Sequence, residues 1–303
     1  MNIFIENLKT AFQRPNNGLY RILLINIAVF GFIILSDVLL WILGVFPDFS
    51  NILLQYIALP SDLQLLLYKP WTIITYMFTH EGFFHILFNM LFLYWFGIII
   101  EEFIGSKKLV AIYILGGIAG AIFYLLGLNL VPAFYNTNAI LYGASAGVAA
   151  IVVAAATLSP NYTFFLFLLG PVKIKYIAIF FIVVKSFVGL KGLNTGGELA
   201  HLGGALLGYL YIIQLRKGTD IGGWLTSLLE WITNLFNAKP KIRVSHRRHT
   251  APKTSAKSTA KGTAEASQEE IDAILDKISD RGYESLTKDE KQKLFNASRG
   301  KQG

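Results

Sequence analysis

The 303-residue chain has no cysteine, which excludes disulfides, thiolate nucleophiles and cysteine-bound metals. It is also poor in charge. Only 15% of its residues are Asp, Glu, Lys or Arg, against roughly 25% in soluble domains, while 54% are hydrophobic. Charge is scarcest inside long apolar blocks. Asp37 is the one charged residue in 22–46, a run longer than the ~7–15-residue core of a signal peptide. Such blocks exclude a water-soluble globule, and the chain reads as an all-α polytopic membrane protein. Its net charge of +8 sits mostly in the C-terminal tail and between the apolar runs, so a membrane explains it better than nucleic acid does.

After a polar N-terminal segment, 1–20, the pattern predicts a membrane domain over 21–217 with six spans: 22–46, 84–104, 109–130, 143–158, 176–190 and 200–215. Residues 47–70 read as an ordered loop lying partly in the outer leaflet, 105–108 as a short basic turn, and 191–199 as a glycine-rich loop. Lys9, Arg14 and Arg21, then Lys107 and Lys108, Lys173 and Lys175, and Arg216 and Lys217 all fall on one side of the membrane. The positive-inside rule makes that side, and both termini, cytosolic. The fourth and sixth spans are shorter than the ~20 residues of an upright span, so their starts are expected below the outer surface, within reach of water. Spans two, four and six run from outside to inside. His85, Ser145 and His201 stand at their N-terminal ends and therefore share one depth.

Ser145 lies among small residues, in Leu141-Tyr142-Gly143-Ala144-Ser145-Ala146-Gly147-Val148. A hydroxyl in a membrane helix ordinarily serves packing or a local hydrogen bond; the sharper reading is a nucleophile. Three of the five histidines, His80, His85 and His201, fall in or beside spans, where an ionisable group is a functional candidate. A structural hydrogen bond would explain any one of them. A metal site would need a carboxylate or thiolate partner that the pattern does not supply. Ala200, Gly204 and Gly208 form a small-residue ridge on the sixth span, and Ala146, Ala149 and Ala150 keep the fourth thin, so the two helices can touch. Such contact is needed to bring a serine Oγ within ~2.6–3.2 Å of an imidazole nitrogen. His85 and Asn89, at i and i+4, share one helix face. Glu81 and Glu198 read as exposed loop charges and not as third members of a catalytic group.

Three motifs, His80-x4-His85-x3-Asn89, Gly143-Ala144-Ser145 and Ala200-His201-Leu202-Gly203-Gly204-x3-Gly208, occur in this order on these spans. Together they resemble the rhomboid intramembrane serine proteases, over roughly residues 20–217. The resemblance implies a six-transmembrane-helix rhomboid bundle that cleaves transmembrane segments of other proteins near the outer face, without metal or cofactor. It implies Ser145 as nucleophile and His201 as general base with no carboxylate. His85, Asn89 and the backbone N–H of Ser145 would hold the oxyanion. His80, Gly143, Gly204 and Gly208 would be structural, His80 by tying the outer loop to the second span. A bacterial inner membrane is the expected location. The chain departs from the family pattern in three places. Thr72 follows Trp71 where an arginine is usual, Ala149 stands where an aromatic often stacks on the imidazole, and Ala146 intervenes between Ser145 and Gly147. A second function remains open: a rhomboid-fold scaffold or chaperone that binds transmembrane helices uncut. Relatives of that kind would be expected to lose the serine or the histidine, and this chain keeps both. A transporter reading would rest on Lys185 alone.

Beyond the spans, Ile221, Trp224, Leu225, Leu228, Trp231, Ile232, Leu235 and Phe236 recur at helical spacing, predicting an interfacial amphipathic helix over 218–237. A basic, disordered linker near anionic lipid is expected over 238–267. A small helical motif follows over 268–298, capped by Ser267-Gln268-Glu269-Glu270, with a second helix starting at Ser285-Leu286-Thr287. It resembles a tail motif of some bacterial rhomboid-like proteins and reads as a docking peptide for a cytosolic partner.

Overall fold

The computed structural model describes residues 17–45, 49–135, 138–166, 170–191, 194–236 and 268–299. Most of the N-terminal segment and the linker expected over 238–267 lie outside these residues. The chain divides into two units, 1–240 and 241–303.

In the first unit, α1 (Gly18–Ile42) is followed by the short helices α2 (Phe49–Ile57), α3 (Leu63–Tyr68) and α4 (Thr72–Thr75), then by α5 (Phe83–Ile104) and α6 (Ser106–Leu130). The chain continues through α7 (Ser145–Leu158) and α8 (Ile174–Phe180), which a π-helical stretch, Phe181–Phe187, prolongs. Then come α9 (Thr195–Arg216) and α10 (Gly223–Phe236). Among the described residues, α1, α5 and α6 are each long and apolar enough to cross a membrane unaided. With α7, α8 and α9 they make the all-α membrane bundle that the apolar runs predict. The outward face of α1 carries exposed Ile27, Phe32, Leu35, Leu39 and Trp41, an apolar surface suited to lipid.

The core is built around α7. It is apolar on every side and nearly all of it is buried, as suits a helix surrounded by other helices. At 14 residues it is about 21 Å long, short of the ~30 Å hydrocarbon thickness. Its neighbours approach it through glycine. A Cβ on Gly204 or Gly208 of α9 would overlap the carbonyls of Ala146 or Ala150, and one on Gly116 or Gly120 of α6 would strike the Cβ atoms of the same two alanines. Gly204 and Gly208 are the packing ridge that the four-residue spacing predicts.

The outer loop is folded. Strand β1 (Leu59–Pro60) pairs antiparallel with β2 (Ile140–Leu141), which places the loop beside the segment entering α7. Around Thr72 the loop is held by side-chain bonds to its own backbone. Trp71 Nε1 donates to Tyr56 O at 2.8 Å, Lys69 Nζ to Gln55 O at 2.8 Å and Thr75 Oγ1 to Ile57 O at 2.7 Å. A hairpin of β3 (Thr163–Leu166) with β4 (Gly170–Lys173), which hydropathy does not announce, precedes α8.

Two helix starts differ from expectation. The basic turn shrinks to Gly105, at φ +89°, and Lys107 and Lys108 lie in the first turn of α6. The sixth span begins at Thr195 rather than Ala200. Asn194 caps it by accepting the Gly197 N–H, so the Gly196-Gly197 pair is helical and buried. α10 has Leu225 buried and Trp224, Leu228, Trp231 and Leu235 exposed along one face.

In the second unit, α11 (Gln268–Arg281) and α12 (Lys288–Arg299) are joined through Gly282 at φ +77°. Thr287 N–H and Oγ1 donate to Glu290, whose own N–H donates to Thr287 Oγ1. This reciprocal cap starts α12 later than Ser285. Lys277 Nζ lies 2.9 Å from both Glu290 oxygens and ties the two helices together.

Candidate active site

The entry to α7 is a constrained turn. Gly143 has φ +120°, and a Cβ there would come within 2.8 Å of the His85 ring. Glycine therefore both permits the turn and lets the imidazole lie against it. Gly143 N–H donates to Tyr76 O at 2.9 Å and Ala144 N–H to His80 Nε2 at 3.3 Å. His80 thus joins the outer loop to the start of α7 by a hydrogen bond, and it also meets His85 of the second span edge-on at 5.1 Å. Burial first, then the neighbouring His85, pushes the His80 imidazole down to about 3, only partly opposed by the Phe78 backbone. It is held neutral, as an acceptor of the Ala144 N–H must be.

Ser145 is the first residue of α7, so its N–H has no acceptor within the helix. Facing it, His85 and Asn89 stand one turn apart on α5. Asn89 Nδ2 donates one hydrogen to His85 O at 2.9 Å, which fixes the amide and leaves its second N–H for another partner. Ser145, His201, His85 and Asn89 all line one cavity of about 780 Å³. At its rim the Tyr142 hydroxyl donates to the Glu81 carboxylate.

His201, nearly two turns into α9, is buried. Two features of its surroundings depart from expectation. Glu198 is not an exposed loop charge: it lies in the first turn of α9, only 6% exposed, with Oε2 3.0 Å from His201 Nδ1. With Nδ1 engaged there, Nε2 is the remaining ring nitrogen of a histidine that lines the same cavity as Ser145. The aromatic missing at Ala149 is supplied from elsewhere. Phe181, in the π-helical stretch, sits with its ring centre 5.6 Å from that of His201 at 43°. Asn194 as a cap with an acid in the following turn is a helix-start signal that would place Glu198 three residues from His201 on one helix. Phe181 carries no comparable mark in the sequence. The side chain of Lys185 lies outside the described residues.

One pocket thus holds a hydroxyl, two imidazoles and amide N–H donors. Comparison with known proteins gives two family matches along the chain. The Rhomboid domain matches residues 68–218, and a family of unknown function (DUF6576) matches 264–300. The chain is 31% identical over 157 residues to "RHOMBOID-like protein 12, mitochondrial" of Arabidopsis thaliana, covering 48% of this chain and 47% of that protein. It is 29% identical over 208 residues to "Rhomboid protein 1, mitochondrial" of Saccharomyces cerevisiae, covering 68% and 55%. With "Rhomboid-like protein 16, chloroplastic" of Arabidopsis thaliana the identity is 31% over 160 residues, covering 48% and 49%. The chain spans about half the length of the curated relatives it matches.

Proposed function

We propose that this chain, a member of the rhomboid family, is an intramembrane serine endopeptidase that cuts transmembrane segments of other proteins near the outer membrane face. The observation that carries the reading is the meeting of Ser145, His201, His85 and Asn89 in one cavity at the recessed head of α7.

Ser145 Oγ attacks the scissile carbonyl carbon while His201 Nε2 takes its proton. The carbonyl oxygen becomes an oxyanion, accepting from the Ser145 N–H, from Asn89 Nδ2 and from the His85 ring. The intermediate collapses as His201 returns the proton to the leaving amine. This breaks the peptide C–N bond and leaves an ester on Ser145. Water, deprotonated by the same imidazole, then hydrolyses the ester. The short α7 keeps these steps below the surface but open to water through the cavity.

A peptide bond inside an intact helix is hydrogen-bonded and shielded, so the substrate segment must unwind to enter. Segments weakened by Gly or Pro near their outer end are the fitting class. Lipid contacts the exposed faces of α1 and α10, a cytosolic partner docks on the 268–299 hairpin, and both termini are cytosolic. The printed names of the relatives are mitochondrial or chloroplastic, so placement in a bacterial inner membrane rests on the motif resemblance alone.

A fluorophosphonate probe tests the chemistry. Wild type is labelled, while Ser145→Ala and His201→Ala are not. An unlabelled but folded wild type would support the scaffold reading instead.

A further inference from the structure

The resemblance implies a serine and a histidine acting without a carboxylate. The residues around His201 depart from that. Glu198 precedes it by three positions on α9, and its Oε2 lies 3.0 Å from His201 Nδ1, with both side chains almost fully enclosed. A carboxylate buried within a membrane bundle is costly unless something holds it. Here three features do so. The first is the imidazole. The second is the N-terminal turn of α9, where the helix dipole favours negative charge. The third is Gly189, where a Cβ would stand 3.0 Å from Glu198 Cδ and 3.2 Å from Oε1, so the missing side chain makes the room the carboxylate occupies.

From this geometry we infer that Glu198 is the positioning residue of His201, converting the expected serine–histidine pair into a Ser145–His201–Glu198 array. Accepting from Nδ1–H, the carboxylate fixes the tautomer whose Nε2 lone pair faces the cavity. It also stabilises the imidazolium that forms when Ser145 loses its proton. Glu198 itself does not touch substrate. Phe181 packs at a tilt against the ring and Glu198 engages its Nδ1, so the imidazole has two neighbours that restrict it without an aromatic at Ala149.

The inference rests on the hydrolase reading of the same cavity, and the test separates the two. The full-length protein is labelled with a fluorophosphonate probe, and the His201 ring tautomer is read by ¹⁵N NMR after ¹⁵N-histidine incorporation, with His201→Asn assigning the signal. Glu198→Gln should slow labelling by at least ~10²-fold, as expected when the imidazole is no longer held in the productive tautomer. The Nδ1–H signal should give way to the Nε2–H tautomer or a mixture. Glu198→Asp, which keeps the carboxylate, should recover part of both. Labelling of Glu198→Gln at the wild-type rate would overturn the inference and leave the hydrolase reading standing. So would slow labelling with an unchanged tautomer, which would mark a merely structural role. An unlabelled wild type would overturn the hydrolase reading and this inference with it.

Discussion

Gly204 and Ala146 meet backbone to backbone, and a Cβ on the glycine would fall inside the alanine carbonyl. The approach of α9 to α7, and hence of His201 to Ser145, depends on that missing methyl group. Gly204→Ala should push the helices apart and destabilise the bundle by about 1–3 kcal/mol, the usual range for overpacking a core. Thermal unfolding in detergent should fall accordingly, and serine labelling should be lost ahead of global unfolding. Gly31→Ala, on a helical position with open space around it, should leave the unfolding midpoint unchanged or raise it.

Asn89 is fixed by its bond to His85 O and keeps one N–H for the cavity. If that hydrogen meets the oxyanion, Asn89→Ala should lower kcat by ~10²–10³ with little change in KM, because the interaction forms only in the transition state. Steady-state cleavage of a transmembrane substrate would reveal the split. A pure KM effect would make Asn89 a binding residue.

The contact of Phe181 with His201 carries a smaller consequence. Aromatic pairs of this kind are worth about 0.5–1.5 kcal/mol, so Phe181→Ala should slow turnover by about 2- to 12-fold. Phe181→Tyr should retain most of the rate, measured on the same substrate.

His80 gives the fold a pH dependence of definite sign. Its imidazole, pushed down to about 3 by burial and by His85, binds fewer protons folded than unfolded at any pH between about 3 and the ordinary ~6.5. Stability is therefore full above the unfolded value and declines as pH falls toward the folded one. On going from about pH 7 to about pH 5, wild type should lose more thermal stability than His80→Gln, which can still accept the Ala144 N–H but does not titrate. Scanning calorimetry at the two pH values is sufficient to compare the slopes.

Much of the bundle is legible in hydropathy, because a lipid environment forces long apolar helices and small-residue contacts, and both leave sequence periods. Ser145, His85, Asn89 and His201 stand out for the same reason: polar groups are expensive there. Glu198 does not stand out, because two adjacent glycines mask a helix that its Asn194 cap nonetheless starts. Phe181 is one aromatic in an apolar run, and only the π-helical stretch aims it at the imidazole. The β1–β2 pairing involves two residues per strand and brings together Leu59 and Leu141, too short and too distant a match to leave a pattern.

If Ser145 is the nucleophile, the chain cuts membrane helices and loses that activity when the hydroxyl is removed. Cleavage in proteoliposomes tests it most directly, using a single-span substrate with Gly and Pro near its outer end and a Leu-only version of the same span. Wild type should cut the weakened span near its outer end and the Leu-only span far more slowly, and Ser145→Ala should cut neither. Equal cleavage by Ser145→Ala, or stable binding of an uncut span by folded wild type, would contradict it.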